Sequence, residues 1–508
     1  MLSFFVTSRH LYGDFLVELF SKLFCPAEAN GPKGTANDKM AHYQQQQSLN
    51  KPDSFGLFLS VLSSLIGMAL CWLFLFIFIL LLLLVALHRP LPARIADRRK
   101  IALFEFLMRL FNEYLGSLVE IAAGHSARNK LSRALSLLTF PVFPRWLFRW
   151  LFAAHWCDVR DESIAGVPCR LYVPKGDKRR YNGAVVFIHG GGWCIGKPRY
   201  YDGALLCLSW KVGIPIISID YSLSPEAKFP TALLQCERVI AELNKVPFST
   251  YGIDPTKIAL MGDSAGANLC AVICQRYLKA RKGPTIRCQI LVYPLIHMLN
   301  FRSPSYRHFY QSYPGTGLLN PNLLIRWCLM YLGIDPSQRN IRKIAQNRHL
   351  SKQILEDEEL MALIDERNLP PGMPGEEERM CGVEGEEKGR ETQRNGRSKH
   401  NKIKEEALPE DDELSKKMAP FLTNPDICPL VGKNLEGLCP AMICTAGVDI
   451  LRDEGILYAQ RLRQFGVAVE WKHYEYAYHG ILNMCKSRQR LRILTDISEY
   501  LQRTLIDS

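Results

Sequence analysis

Thirty-one consecutive positions, 57–87, carry no charged residue, and their core reads LCWLFLFIFILLLLLVAL. A helix needs about 20 apolar residues to cross a bilayer, so this run predicts a membrane-spanning helix at 55–88. It begins far from the first residue and ends in LHRPLP rather than in a small-residue cleavage site. That pattern predicts a retained anchor rather than a cleaved signal peptide. Residues 1–54 have an amphipathic start (LYGDFLVELFSKLF) followed by the polar run AHYQQQQSLN. We expect this leader to be mostly disordered.

Beyond the anchor, short apolar runs alternate with segments of helical period. Strands are predicted at 184–188 (AVVFI), 214–221 (IPIISIDY), 258–262 (IALMG), 287–295 (RCQILVYPL), 441–450 (AMICTAGVDI) and 467–474 (VAVEWKHY). Between them lie stretches such as PTALLQCERVIAELNKV and AGANLCAVICQRYLKA, with apolar residues every three or four positions. Strand–helix alternation predicts an α/β fold with a mainly parallel sheet flanked by helices. Ligands of such sheets bind at the carboxyl ends of the strands.

Composition changes this picture in two places. Residues 352–417 hold 19 acidic and 12 basic residues, a net charge of −7, with few apolar positions spaced to build a core. A solvated, disordered insertion is expected there. The chain as a whole carries +13, so the remainder carries +20. Basic residues cluster just after the apolar run (Arg89, Arg94, Arg98, Arg99, Lys100) and recur at Arg145, Arg149, Arg179 and Arg180. Beside an anchor, this distribution points to anionic lipid headgroups. No nucleic-acid recognition motif accompanies the charge, and nucleic acid is not an expected partner. The sixteen cysteines show no paired CxxC spacing, and buried or free thiols are the expectation.

The chemistry falls just after the strands. Gly262-Asp263-Ser264-Ala265-Gly266 follows IALM and opens a helical stretch. A nucleophile elbow needs this strand–turn–helix arrangement, which pushes a serine hydroxyl out at the sheet edge. His189-Gly190-Gly191-Gly192-Trp193 follows AVVFI. Three glycines let backbone N–H groups converge, as an oxyanion hole requires, and neither Gly-rich phosphate-loop pattern is present. A hydrolase of this order needs an acid and then a histidine downstream of the serine. Asp449 ends one predicted strand and His479 follows the next. Asp453, Glu454 and Glu475 are rival acids, and His297, His308 and His473 are rival bases.

HGGGW, YSLSPEAKFP (221–230), GDSAG, VDILRDEG and the HG at 479–480 together resemble the arylacetamide deacetylase-like branch of the hormone-sensitive lipase family, over about 88–350 and 418–508. The resemblance implies an α/β-hydrolase fold with a helical cap and an N-terminal transmembrane helix. It implies Ser264 as nucleophile, His479 as general base and Asp449 as the acid that orients it. It implies an oxyanion hole drawn from His189, Gly190, Gly191, Gly192 and Ala265, with Glu226 as a support behind the site. No cofactor and no metal are implied. The expected organisation is a leader at 1–54, an anchor at 55–88, a helical cap at 89–160, and a catalytic domain at 161–508 interrupted at about 352–417.

The expected reaction is cleavage of small apolar esters or arylamides through an acyl-enzyme. The other reading is a catalytically silent hydrolase-fold protein at the membrane, its pocket blocked by the insertion. The branch is also expected to bridge the cysteine after HGGGW to one three residues before the acid. Cys194 fills the first place, but the second is Ala446, leaving Cys444 as a substitute. The resemblance implies an endoplasmic-reticulum membrane and a lumenal catalytic domain. Five Lys/Arg residues follow the apolar run, against Lys39 and Lys51 in a similar window before it, and this asymmetry favours the opposite topology. No N-x-S/T sequon occurs in the chain. A lumenal catalytic domain is the expectation.

Overall fold

The computed structural model describes residues 54–87, 89, 91–92, 94–139, 155–245, 251–280, 286–316, 318–373 and 412–506. Residues 1–53 of the leader, Arg145, Arg149 and residues 374–411 lie outside them. The chain divides into two compact units, 1–86 and 87–508.

The first unit holds a single described helix, Ser54–Leu87, of 34 residues. At 1.5 Å rise per residue it is about 50 Å long, more than the ~30 Å hydrocarbon core demands. Its most apolar stretch, Phe58–Ile79, has a mean hydropathy of 2.5 and none of it is buried by protein.

The second unit is built on an eight-stranded sheet of order β1-β2-β4-β3-β5-β6-β7-β8. The strands are β1 (Cys157–Ile164), β2 (Val167–Pro174), β3 (Ala184–Ile188), β4 (Ile216–Ile219), β5 (Ile258–Asp263), β6 (Ile286–Val292), β7 (Ala441–Val448) and β8 (Val469–Tyr478). From β4 to β8 all neighbours are parallel, whereas β1–β2 and β2–β4 are antiparallel. The central strands are buried throughout, which matches their unbroken apolar runs. Every strand read from the pattern is present.

Two boundaries require correction. The cap was expected to reach residue 160, but β1 begins at Cys157. Its sequence, CDVRDESI, is an edge strand with charged side chains in water, so it lacks an apolar signal. A two-residue turn at Ala165 and Gly166, both with positive φ, joins it to β2. Described cap residues form helices Arg98–Arg109 and Gly116–Thr139, the latter broken by a kink at Gly124 (φ +81°) and the two joined by a π-helical segment, Leu110–Leu115.

The insertion, expected disordered over 352–417, is folded at both ends. Helices Lys352–Glu356 and Glu358–Ala362 and the start of Glu413–Leu422 bury Ile354, Leu360 and Leu414, and Ile364 is buried just beyond the second helix. Several of its acidic residues are helix caps: Asp357 accepts the N–H of Leu360, and Asp412 that of Ser415. Charge that reads as solvated tail is here the punctuation of short helices.

Cys194 and Cys444 are free thiols. Cys194 packs with Trp327 and Met330 in a small separate cluster, while Cys444 belongs to the main core. The bridge expected between them is not formed.

Candidate active site

Three loops at the carboxyl ends of β5, β7 and β8 meet above the sheet. Ser264 follows β5 directly and adopts φ +54°, left-handed backbone that a non-glycine residue rarely holds. The cause lies in how tightly strand and helix are joined. A Cβ on Gly266 would come within 2.0 Å of the Ile188 carbonyl oxygen on the neighbouring strand. Only a glycine allows helix Ala265–Ala280 to start so close to the sheet.

The structure brings Ser264, His479 and Asp449 into one hydrogen-bonded chain. Ser264 Oγ lies 2.9 Å from His479 Nε2, and His479 Nδ1 lies 2.8 Å from Asp449 Oδ2. In the tautomer with the proton on Nδ1, the serine hydroxyl donates to Nε2 and Nδ1–H donates to the carboxylate. Asp449 is fixed from its other oxygen, Oδ1, by the Leu451 N–H at 2.9 Å, and its side chain is sealed from solvent. The Tyr293 ring lies against the imidazole, with centroids 4.6 Å apart.

The rival residues are placed elsewhere. His297 is buried and its Nδ1 accepts the Leu299 N–H. His308 contacts Ser312, and His473 contacts Thr445. Asp453 pairs with Arg452 and accepts the Ser305 N–H, while exposed Glu475 faces Arg94 at 3.7 Å.

The glycine loop curls over the elbow. Gly191 has φ +111°, and a Cβ there would meet the Ile195 carbonyl oxygen at 2.2 Å. That carbonyl belongs to a tight turn in which Gly191 O accepts the N–H groups of Cys194 and Ile195. Among the described residues no acceptor is assigned to the amides of Gly191, Gly192 and Ala265. Gly190 differs, and its inclusion among the expected donors is corrected. Its N–H donates to Asp263 Oδ1 at 2.7 Å and is therefore committed within the fold. His189 is buried against the Tyr221 ring and its carbonyl accepts the Tyr221 hydroxyl, so it braces the loop.

Sequence reasoning gave Asp263 no role of its own. It is fully buried and accepts from Gly190 N–H, from Tyr201 Oη at 3.0 Å and from Tyr293 Oη at 3.2 Å. Burial pushes its carboxyl up to about 6 against the pull of these bonds. The only signals in the sequence were its place inside the elbow and the tyrosine at the end of β6.

Glu454 is the second buried carboxyl near the site. Its Oε2 accepts the N–H groups of Ile296 at 2.8 Å and His297 at 3.2 Å, which ties the loop after β6 to the helix after Asp449. Burial pushes it up to about 8 from an ordinary 4.5, opposed by those bonds and reinforced by the charge of Asp449. An acid whose folded pKa is raised holds its proton longer in the fold than in the unfolded chain. Stability contributed this way is lost as pH rises from about 4.5 to about 8. Buried His189, His297 and His349 are pushed down to about 4, 3 and 4, so their opposite contribution is complete by about pH 6.5. Between about pH 6.5 and 8, wild-type stability should fall with pH by at most about 1.4 kcal/mol per unit from this group. Glu454→Gln should flatten that slope in thermal melts across the window, and an unchanged slope would show that Glu454 does not titrate there.

A family model described as alpha/beta hydrolase fold matches residues 185–352 and 386–483. Arylacetamide deacetylase of Bos taurus is 30% identical over 334 residues, covering 64% of this chain and 74% of that protein. Neutral cholesterol ester hydrolase 1 of Bos taurus is 25% identical over 404 residues, covering 78% and 89%. Among solved structures, an esterase from Rhizomucor miehei superposes with a TM-score of 0.51 at 23% identity, over 77% of this chain and 96% of that one. A thermostable esterase from Pseudomonas putida gives 0.50 at 18% identity, over 78% and 97%. At these identities the two structures speak for the fold alone.

Proposed function

Because this chain belongs to the α/β-hydrolase family, in the hormone-sensitive lipase branch with arylacetamide deacetylase and neutral cholesterol ester hydrolase, and is a carboxylic-ester hydrolase of that kind, we propose that it is a membrane-anchored serine esterase acting on apolar esters and arylamides. The observation that carries the reading is the hydrogen-bonded chain from Ser264 through His479 to Asp449. His479 takes the Ser264 proton as Oγ attacks the substrate carbonyl. Asp449 holds the ring in the required tautomer and stabilises the imidazolium that forms. The oxyanion is received by the amides of Gly191, Gly192 and Ala265, the last at a helix N-terminus where the dipole favours negative charge. His479 then protonates the leaving group, and water repeats the cycle on the acyl-enzyme.

Apolar substrates follow from the names of the relatives and from the long apolar helix, which would hold the enzyme where such molecules concentrate. The test is labelling of the full chain in membranes by a fluorophosphonate probe, together with hydrolysis of p-nitrophenyl esters. Covalent labelling and turnover are expected. A folded, membrane-integrated protein showing neither would favour the silent reading.

An endoplasmic-reticulum membrane with a lumenal catalytic domain is supported by the resemblance and opposed by the flanking charges. An engineered N-x-T sequon in the exposed turn at Ala165–Gly166 should be glycosylated in cells if the domain is lumenal. A sequon left unmodified, on a chain whose domain is digested by protease added to intact microsomes, would place it in the cytosol.

A further inference from the structure

The cap reaches the back of the oxyanion loop through two side chains of helix Gly116–Thr139. Arg133 Nε donates to the Cys194 carbonyl at 2.7 Å, and its Nη2 donates to the Ser224 carbonyl and, at 2.8 Å, to Glu226 Oε2. Asn129 is buried, and its Nδ2 donates to the same two carbonyls, Ser224 at 3.0 Å and Cys194 at 3.3 Å.

Those carbonyls belong to the oxyanion loop's own scaffold. Cys194 N–H donates to Gly191 O, and Ser224 N–H donates to Trp193 O at 2.8 Å. The loop is also held by Trp193, stacked on Tyr331 with centroids 4.2 Å apart. The loop is thus held both by an aromatic stack and by two donors that come from the cap. The charged guanidinium with the Glu226 carboxylate makes Arg133 the stronger tie.

We propose that Arg133, assisted by Asn129, is a positioning residue for the oxyanion hole, so that the seating of the cap sets the rate of acyl transfer. This rests on the hydrolase reading above. Gly191 and Gly192 stabilise charge only where their N–H groups point at the developing oxyanion, and small misalignments are costly in such sites. A cap that served only as a pocket wall would act on substrate binding. A cap that fixes the loop acts on the chemical step.

The experiment uses the full chain in membranes, with Arg133→Ala, Arg133→Gln and Arg133→Lys. Arg133→Ala should lower kcat about 10- to 100-fold, part of the 10²–10³ that losing a whole oxyanion donor costs, while KM moves less than about threefold. Arg133→Lys should recover part of kcat because an ammonium can still reach one carbonyl. Arg133→Gln keeps a donor and serves if the alanine variant fails to fold. Amide exchange over residues 189–196 should quicken in the variants while that of β5 stays as in wild type. A raised KM with unchanged kcat and unchanged exchange would overturn the proposal and leave Arg133 as pocket wall. Were the wild type itself inactive, the exchange measurement would still decide whether Arg133 holds the loop, and that outcome would count against the hydrolase reading instead.

Discussion

Replacing Ser264 by alanine is expected to remove fluorophosphonate labelling entirely and to lower ester turnover by about 10³- to 10⁶-fold. The residual rate would come from the oxyanion amides and from substrate binding, which the substitution leaves in place. The fold should survive. Among the described residues Ser264 Oγ has one assigned partner, His479 Nε2, and the backbone of the elbow is held by glycines and by the Ser264 N–H to Val292 O bond rather than by the hydroxyl. Thermal melts of the variant should therefore overlay wild type to within a few degrees. Asp449→Asn should act differently at the same site. The imidazole would turn its proton toward Nε2 and face the serine with a donor, costing about 10⁴ in kcat. Labelling that persisted in Ser264→Ala would place the nucleophile elsewhere and sink the assignment. Labelling and turnover that persist when residues 374–411 are removed would show that this segment does not gate the pocket.

The parts of this site that were legible in the sequence share one property: they follow from short-range rules. GDSAG between a strand and a helix demands a particular turn, and the left-handed Ser264 is that turn. Asp449 and His479 stand just past the ends of β7 and β8, where a parallel sheet presents its loops. Parts that depend on which chain segments meet were not legible. Cys194 fills one place of the implied pair and Cys444 lies two residues off the other, yet spacing does not say that one packs on Trp327 and the other in the central core. Gly190 looks like its two neighbours in sequence and is distinguished only by the carboxylate beneath it. Arg133 stands some sixty residues before the loop it touches, in a helix whose pattern announces a cap and nothing more. The acidic flanks of the insertion misled for the opposite reason. Asp357 and Asp412 look like solvated charge in a composition count, and their capping role appears only once short helices are seen to bury Leu360 and Leu414.

Asp263 is where long-range placement should have its largest measurable effect after the Ser264–His479–Asp449 chain of the proposed mechanism. Its carboxylate joins the elbow to the glycine loop through Gly190 N–H, and to β6 and the segment after β3 through two tyrosine hydroxyls. Asp263→Ala would leave these buried donors without their acceptor, at roughly 1–3 kcal/mol for each one unsatisfied. It would also release the loop that carries Gly191 and Gly192. We expect a clearly lowered melting temperature and a fall in kcat on the order of 10²-fold, comparable to loss of one oxyanion donor. Asp263→Asn separates the two possible origins of that effect. The amide keeps an oxygen for Gly190 N–H and offers its own N–H groups to tyrosine hydroxyls, which can accept. It also removes a buried carboxylate whose ionised form burial disfavours. Asp263→Asn should therefore melt close to wild type and keep kcat within about tenfold, because the hydrogen-bond geometry of the loop survives. If the asparagine variant lost as much activity as the alanine variant while melting like wild type, the negative charge itself would matter. Asp263 would then act on the imidazolium of His479 rather than on the loop, since the two groups are close enough to interact electrostatically.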